Sequence, residues 1–188
     1  SSLSGVKING IVKNIGRSAF GYCEKLSSVD FGNYVETIGE RALANSAITS
    51  IALPNSLKNI DKDAFYNCVQ LKNVLIGNGI ETIGEGAFNS GYSGTMELDS
   101  LVIGNPIPPT ISETSFSSKT YLNCTLSVPA ESVQKYKDAE YWGDFWNIEG
   151  AELSTSIELI SDGVLKYPIG IYDIKGILLK EPANGLNI

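Results

Sequence analysis

The sequence contains no histidine among its 188 residues. That absence removes the usual near-neutral general base, the Ser-His-acid arrangements and every histidine-containing zinc site. Positive charge is scarce too: 14 Lys+Arg face 21 Asp+Glu, for a formal charge of -7. An acidic balance argues against nucleic acid or an anionic membrane as the main partner. No apolar run reaches the roughly 18 residues that a membrane-crossing helix needs. No basic segment followed by an apolar one opens the sequence, which says nothing about the compartment. Also missing are a glycine-rich phosphate loop, a Cys-x-x-Cys pair and a calcium loop. No cofactor, no metal and no catalytic residue is therefore expected. Acidic pairs suited to glycoside hydrolysis occur only as chance neighbours, with no column singling one out.

What the sequence does have is repetition. VKNIGRSAFGYCEKLSSVDFGN starts at Val12, VETIGERALANSAITSIALPN at Val35, LKNIDKDAFYNCVQLKNVLIGN at Leu57 and IETIGEGAFNS at Ile80. The starts are 23, 22 and 23 residues apart, with the missing residue between Leu43 and Ile48. Ile15, Ile38, Ile60 and Ile83 form one column, and Phe20, Leu43, Phe65 and Phe88 another. Each unit closes on a strand-like alternation: Leu26, Val29 and Phe31, then Ile48, Ile51 and Leu53, then Leu71, Val74 and Ile76. Leu98, Leu101 and Ile103 continue it after an insertion at Tyr92, Ser93, Gly94 and Thr95. Val6 and Ile8 belong to a partial unit before the first, and Ile111, Phe116 and the run from Thr125 to a degenerate fifth.

Alternate side chains of a strand face opposite ways, so Val29 and Phe31 point inward with Val12, Ile15, Phe20 and Leu26 of the same coil. One coil cannot bury these residues alone, whereas stacked coils cover one another's flanks. Gly16, Gly39 and Gly84 share a column with Asp61, which suggests left-handed backbone there. The column Ala19, Ala42, Ala64 and Ala87 suggests a tight helical or 3-10 turn. Asn33, Asn55, Asn78 and Asn105 suit the corners after the strands. The predicted fold is an α/β leucine-rich-repeat solenoid with a parallel strand-lined curved face and short helical or 3-10 turns behind. Residues 1–150 form the solenoid, with a helical and aromatic C-terminal cap from about 129, and 151–188 form a small β-rich segment.

The motifs IGRSAFGYCEKLSSVDFGN and IDKDAFYNCVQLKNVLIGN resemble the BspA-type leucine-rich repeat of bacterial surface proteins. They share AF at the turn, a Y-C or N-C pair after it, and FG or IG closing the strand, where the second unit has LP. Asn33 lies two positions after Phe31, rather than the three of the commonest leucine-rich pattern. The resemblance implies a cell-surface or secreted location and a role in adhesion or protein binding. The run from Ser127 to Ile148 is similar to the segment that closes this family's repeats, with Tyr141, Trp142, Phe145 and Trp146 as a hydrophobic plug. A sugar-stacking platform is the other reading of those rings. The C-terminal GIYDIKGILLKEPANGLNI resembles the start of a Bacteroidetes-type secretion sorting module through Tyr172, Gly176, Pro182 and Gly185-Leu186. Asn187 stands where that family has an aromatic residue, and a small β-appendage is the alternative.

Cys23 and Cys68 share a column two coils apart, roughly 10 Å at the parallel-strand spacing and too far for a disulfide. Both read as small buried apolar groups, and Cys124 has no column partner. The outward strand positions form two rows. One holds Ser28, Ser50, Asn73, Ser100 and Thr125, and the other Asp30, Ala52, Leu75, Val102 and Ser127, with Lys7 beyond Asp30. The second row is apolar at Ala52, Leu75 and Val102, which points to a protein-binding face, although β-propensity also favours valine there. The insertion at 92–95 is a second candidate. The leading reading is thus a non-enzymatic adhesion or protein-interaction module. Carbohydrate binding through the 141–146 cluster and a structural spacer are its alternatives.

Overall fold

The computed structural model describes residues 2–91 and 95–151, plus the strands at 158–160, 164–167, 170–173 and 178–180. In chain order the first strands are β1 (Gly5–Lys7), β2 (Asn14–Ile15), β3 (Ser28–Asp30), β4 (Thr37–Ile38) and β5 (Ser50–Leu53). They are followed by β6 (Asn59–Ile60), β7 (Asn73–Ile76), β8 (Thr82–Ile83) and β9 (Ser100–Ile103). Then come α1 (Ser118–Asn123), β10 (Thr125–Pro129), α2 (Val133–Asp138) and β11 (Asn147–Ala151).

The repeat columns become ladders. Strands β5, β7, β9, β10 and β11 pair in parallel, carrying Ser50, Asn73, Ser100, Thr125 and Asn147 side by side. Val6 pairs with Val29 through β1 and β3, which confirms the partial first unit. The front ladder is interrupted between β3 and β5, at the unit that is one residue short. Those strands lie side by side without a ladder between them, and just before them the Ala47 N–H donates to the Leu26 carbonyl at 2.9 Å. A second parallel sheet runs β2, β4, β6, β8, and stacks Ile15, Ile38, Ile60 and Ile83. Each of these strands is two residues long, with a polar residue outward and a buried isoleucine inward.

The alanine column forms a chain of tight turns rather than a helix. Ala19, Gly21 and Cys23 donate backwards to Gly16, Ser18 and Phe20, closing four-residue turns. The alternate N–H groups of Ser18, Phe20 and Tyr22 reach instead to the carbonyls of Glu40, Ala42 and Ala44 in the next coil. Left-handed residues create this alternation. Ser18, Arg41, Asp63 and Gly86 have φ between 52° and 67°, and Tyr22, Asn45 and Asn67 between 58° and 60°. A helix cannot run through such residues. The strained column therefore lies two positions after the glycines, not on them.

Those glycines answer to crowding. A Cβ on Gly39 would stand 2.8 Å from the Ile15 carbonyl oxygen, and one on Gly84 would stand 2.6 Å from Lys62 N. Gly16 has nothing within 4 Å of the same position, because no described coil precedes it. Gly84→Ala should cost about 1–3 kcal/mol by overpacking. Gly16→Ala should be neutral or stabilising by up to about 1 kcal/mol, through a stiffer unfolded chain. Urea unfolding midpoints of the two variants check the contrast.

The interior follows the columns from the second coil onward. Val35, Ile38, Leu43, Ile48, Leu57, Phe65, Leu71 and Phe88 are all fully buried. The first coil departs from expectation. Val12 is 37% exposed, Ala19 is exposed, and Phe20 and Cys23 are half-buried, since only the partial unit of Val6 and Ile8 is described on one flank of that coil. All three cysteines are free, and Cys68 and Cys124 are buried. Cys68 fits its small site by contacting Ser46 Oγ, 3.2 Å away in the neighbouring coil. Asn67 Nδ2 donates to Asn45 Oδ1 at 2.7 Å, tying the left-handed corners together.

Charge is also organised between coils. Arg17 pairs with Glu40 at 3.0 Å and Lys62 with Glu85 at 2.8 Å down one column, while Arg41 pairs with Asp63 at 3.0 Å in the next. These pairs hold the Arg41 and Lys62 side chains above their ordinary range, chiefly through the hydrogen bond to each partner carboxylate. Both cations are solvent-exposed, so the pairs contribute alignment more than stability.

Beyond β10, a 3-10 turn at Ala130–Ser132 leads into α2, and another lies at Trp142–Asp144. Further along the chain, β12 (Glu158–Ile160), β13 (Val164–Tyr167), β14 (Gly170–Asp173) and β15 (Leu178–Lys180) form an antiparallel meander. Of the residues carrying the sorting-module resemblance, Tyr172 is on β14; Gly176, Pro182, Gly185 and Leu186 lie outside the described residues.

Candidate interaction face

Both predicted rows lie on the strand-lined side in register. Leu75 is opposite Ala52 on one side and Val102 on the other, and Val102 is opposite Ser127. Their accessibility is less uniform than the alternation suggests. Ser28, Asp30, Ala52, Asn73, Leu75, Ser100 and Thr125 are half-buried. Ser50 and Val102 are only 8% exposed, and Ser127 5%. Val102 lies on an interior strand with Leu75 and Ser127 at ladder spacing on either side, which covers it. The apolar surface thus reduces to Ala52 and Leu75, and Val102 becomes part of their support. Asp30 is separated from Ala52 by the break in the ladder, and on its other side, toward β1, Lys7 Nζ meets its carboxylate at 3.5 Å.

The far end of the face was missed in the sequence. Strand β11 adds Asn147 and Glu149 to the two rows. Asn147 Nδ2 donates to Thr125 Oγ1 at 2.9 Å, and Ser127 Oγ donates to Glu149 Oε1 at 2.9 Å. The signal was present, because Ile148 follows Leu126 by 22 residues, one repeat period. The aromatic run just before it concealed the period. At the edge of the face, Lys72 Nζ binds Asp99 at 3.1 Å and the Glu97 carbonyl at 2.9 Å. Behind it, burial, then the Asp99 charge, pushes the Cys124 thiol up to about 12, and burial raises Cys68. Both stay protonated at neutral pH and are poor nucleophiles.

The aromatic cluster divides in two. Trp142 is 1% and Phe145 3% exposed, while Trp146 is 83% exposed. The Trp142 indole N–H donates to the Pro109 carbonyl at 2.7 Å, and the Tyr136 hydroxyl donates to the Asn105 carbonyl at 2.8 Å. A sugar platform spanning residues 141–146 is therefore not available, because its central ring is inside. Of the insertion, Tyr92, Ser93 and Gly94 lie outside the described residues. Thr95 is exposed, and its N–H donates to Ser90 Oγ at 3.0 Å. Among the described residues no group of three or more His, Cys, Asp or Glu is placed to hold a metal ion. No described helix is long and apolar enough to cross a membrane.

Parallel strands stacked at a 22–23-residue step, with a second short ladder and tight turns behind, define a leucine-rich-repeat protein. Residues 1–123 match the family of the BspA type leucine rich repeat region in 6 copies, and the chain belongs to that family. A solved structure of a leucine rich cell surface protein from Faecalibacterium prausnitzii A2-165 is 18% identical, with a TM-score of 0.38. The match covers 84% of this chain and 64% of that one, so the chain spans less than two thirds of that protein. None of the curated proteins compared with the chain matches it.

Proposed function

We propose that the chain is a non-enzymatic adhesion or protein-interaction module of the cell surface or the secreted space, binding its partner through the strand-lined face. The observation that carries this reading is the five-strand parallel ladder, whose outward rows are polar except at Ala52, Leu75 and the buried Val102. A shallow surface of this kind suits an extended protein contact better than a small molecule, which needs a concave site. Membership of the repeat family supports the location. In this reading residues 130–146 act as the lid of the last coil, and 151–188 are a separate β-rich segment with a part in export.

Leu75→Asp tests the proposal. Leu75 is half-buried, so the charge projects from the face and the melting temperature should stay within a few degrees of wild type. Binding to cell surfaces or to partners captured by the wild-type chain should fall by at least about tenfold, the loss expected for an interface anchor. Val102→Asp is unsuitable, because a charge at that buried position would unfold the face. Retained binding by a folded Leu75→Asp variant rules the face out.

A further inference from the structure

The end of the coil stack carries an apolar patch that the fold does not use. Trp146 is 83% exposed, and Leu122 on α1 is 61% exposed. The segments that carry them run side by side, because the Trp146 N–H donates to the Tyr121 carbonyl at 2.9 Å. Trp146→Ala would remove almost no buried surface, so packing gives no reason for an indole there.

Charge around this patch differs from the rest of the molecule. Residues 1–96 carry eight acidic and eight basic side chains, whereas residues 97–151 carry eight acidic and three basic. Among the described residues every ion pair draws its cation from Lys72 or earlier in the chain. Glu113, Glu140 and Asp144 enter none of these pairs. Glu113 and Asp144 lie near the phenol of Tyr121, the chain neighbour of Leu122, and all three lie near that of Tyr141. Burial, then Asp144 and Glu113, pushes Tyr121 up, and Glu140, then burial, pushes Tyr141 up. The Tyr121 hydroxyl is buried among them without a hydrogen-bond partner.

We propose that Trp146 and Leu122, bordered by Glu113, Glu140 and Asp144, dock a basic peptide segment of a partner protein. A Lys or Arg of that segment lies over the exposed indole face, where a cation is attracted by the ring quadrupole. The three carboxylates neutralise the flanking charges and steer the approach. The docking surface is at the end of the stack, apart from Ala52 and Leu75. It therefore stands or falls independently of the strand-lined face.

The experiment titrates the full chain with octa-arginine amide, using octa-glutamate and a Gly-Ser peptide of equal length as controls. Octa-arginine should bind selectively and more weakly as salt rises. Trp146→Ala should weaken it about tenfold, as expected for losing a desolvated cation–π contact and its anchor. The triple variant Glu113→Gln, Glu140→Gln, Asp144→Asn should weaken it at least as much and flatten the salt dependence. Glu24→Gln with Glu81→Gln, two exposed carboxylates elsewhere, should leave it unchanged, as should Leu75→Asp. Melting curves establish that each variant is folded. Equal affinity in Trp146→Ala overturns the proposal, and so does equal weakening by the Glu24 and Glu81 pair, which would mean diffuse charge. Trp146-dependent binding on a glycan array with no response to octa-arginine overturns it in favour of a sugar platform. Trp146-dependent dimers in sedimentation assign the patch to a second copy and overturn it as well.

Discussion

Phe88→Ala is expected to destabilise the protein by about 3–5 kcal/mol, the cost of emptying a buried aromatic site. Phe88 is fully buried between two parallel rings. Its centroid is 5.0 Å from Phe65 and 5.5 Å from Phe116, with both interplanar angles at 6°. The truncation therefore removes packing from two coils at once and leaves a void that neither neighbour can fill without leaving its own stack. Stacked coils are stable mainly through contacts with the next coil. Cutting the column in the middle should therefore broaden the urea transition as well as lower its midpoint. Phe20→Ala removes the same side chain at the half-buried start of the column and should cost clearly less. An equal loss in the two variants would mean that the ring stack is not what couples the coils.

The columns were legible because each is a steric requirement repeated at every coil. An inward strand position must be apolar, and an inner turn position must be small. Ile15 to Ile83 and Val29 to Val74 could thus be read without knowing the winding. The left-handed residues were not legible in the same way. Ser18, Arg41 and Asp63 adopt φ above 50° although none is glycine, since N–H groups shared with the next coil repay the strain locally. The glycines two positions earlier drew attention because glycine is the usual signature of that conformation, yet Gly39 and Gly84 serve a close approach of backbones. On the face, alternation placed Val102 in the outward row, but could not tell that it is only 8% exposed. The front ladder's break before Ser50 leaves apolar periodicity intact on both sides and coincides only with the one-residue shortfall between Leu43 and Ile48. The first coil looked like the others because its residues are the same; Val12 differs from Val35 only in lacking a covering neighbour.

The same gap between composition and placement separates the two tryptophans, and it predicts opposite outcomes for one substitution. Trp142 packs at 5.3 Å from Tyr136 and at 5.7 Å from both Phe116 and Phe145, joining the aromatic segment to the last ring of the interior stack. Trp142→Ala should cost about 3–5 kcal/mol. Part of that loss is polar, because the Pro109 carbonyl gives up the indole N–H that satisfies it. Trp142→Phe isolates this part, since the ring is kept and the donor removed; it should fall between wild type and alanine. Trp146→Ala should change stability by no more than about 0.5 kcal/mol, as for other surface positions without special contacts. Fluorescence provides a second readout in the native state. The Trp142→Phe variant reports the exposed indole alone, red-shifted and readily quenched by iodide. The Trp146→Phe variant reports the buried one, blue-shifted and protected. Equal quenching in the two variants would contradict the burial of Trp142, and with it the proposal that residues 130–146 act as the lid of the last coil.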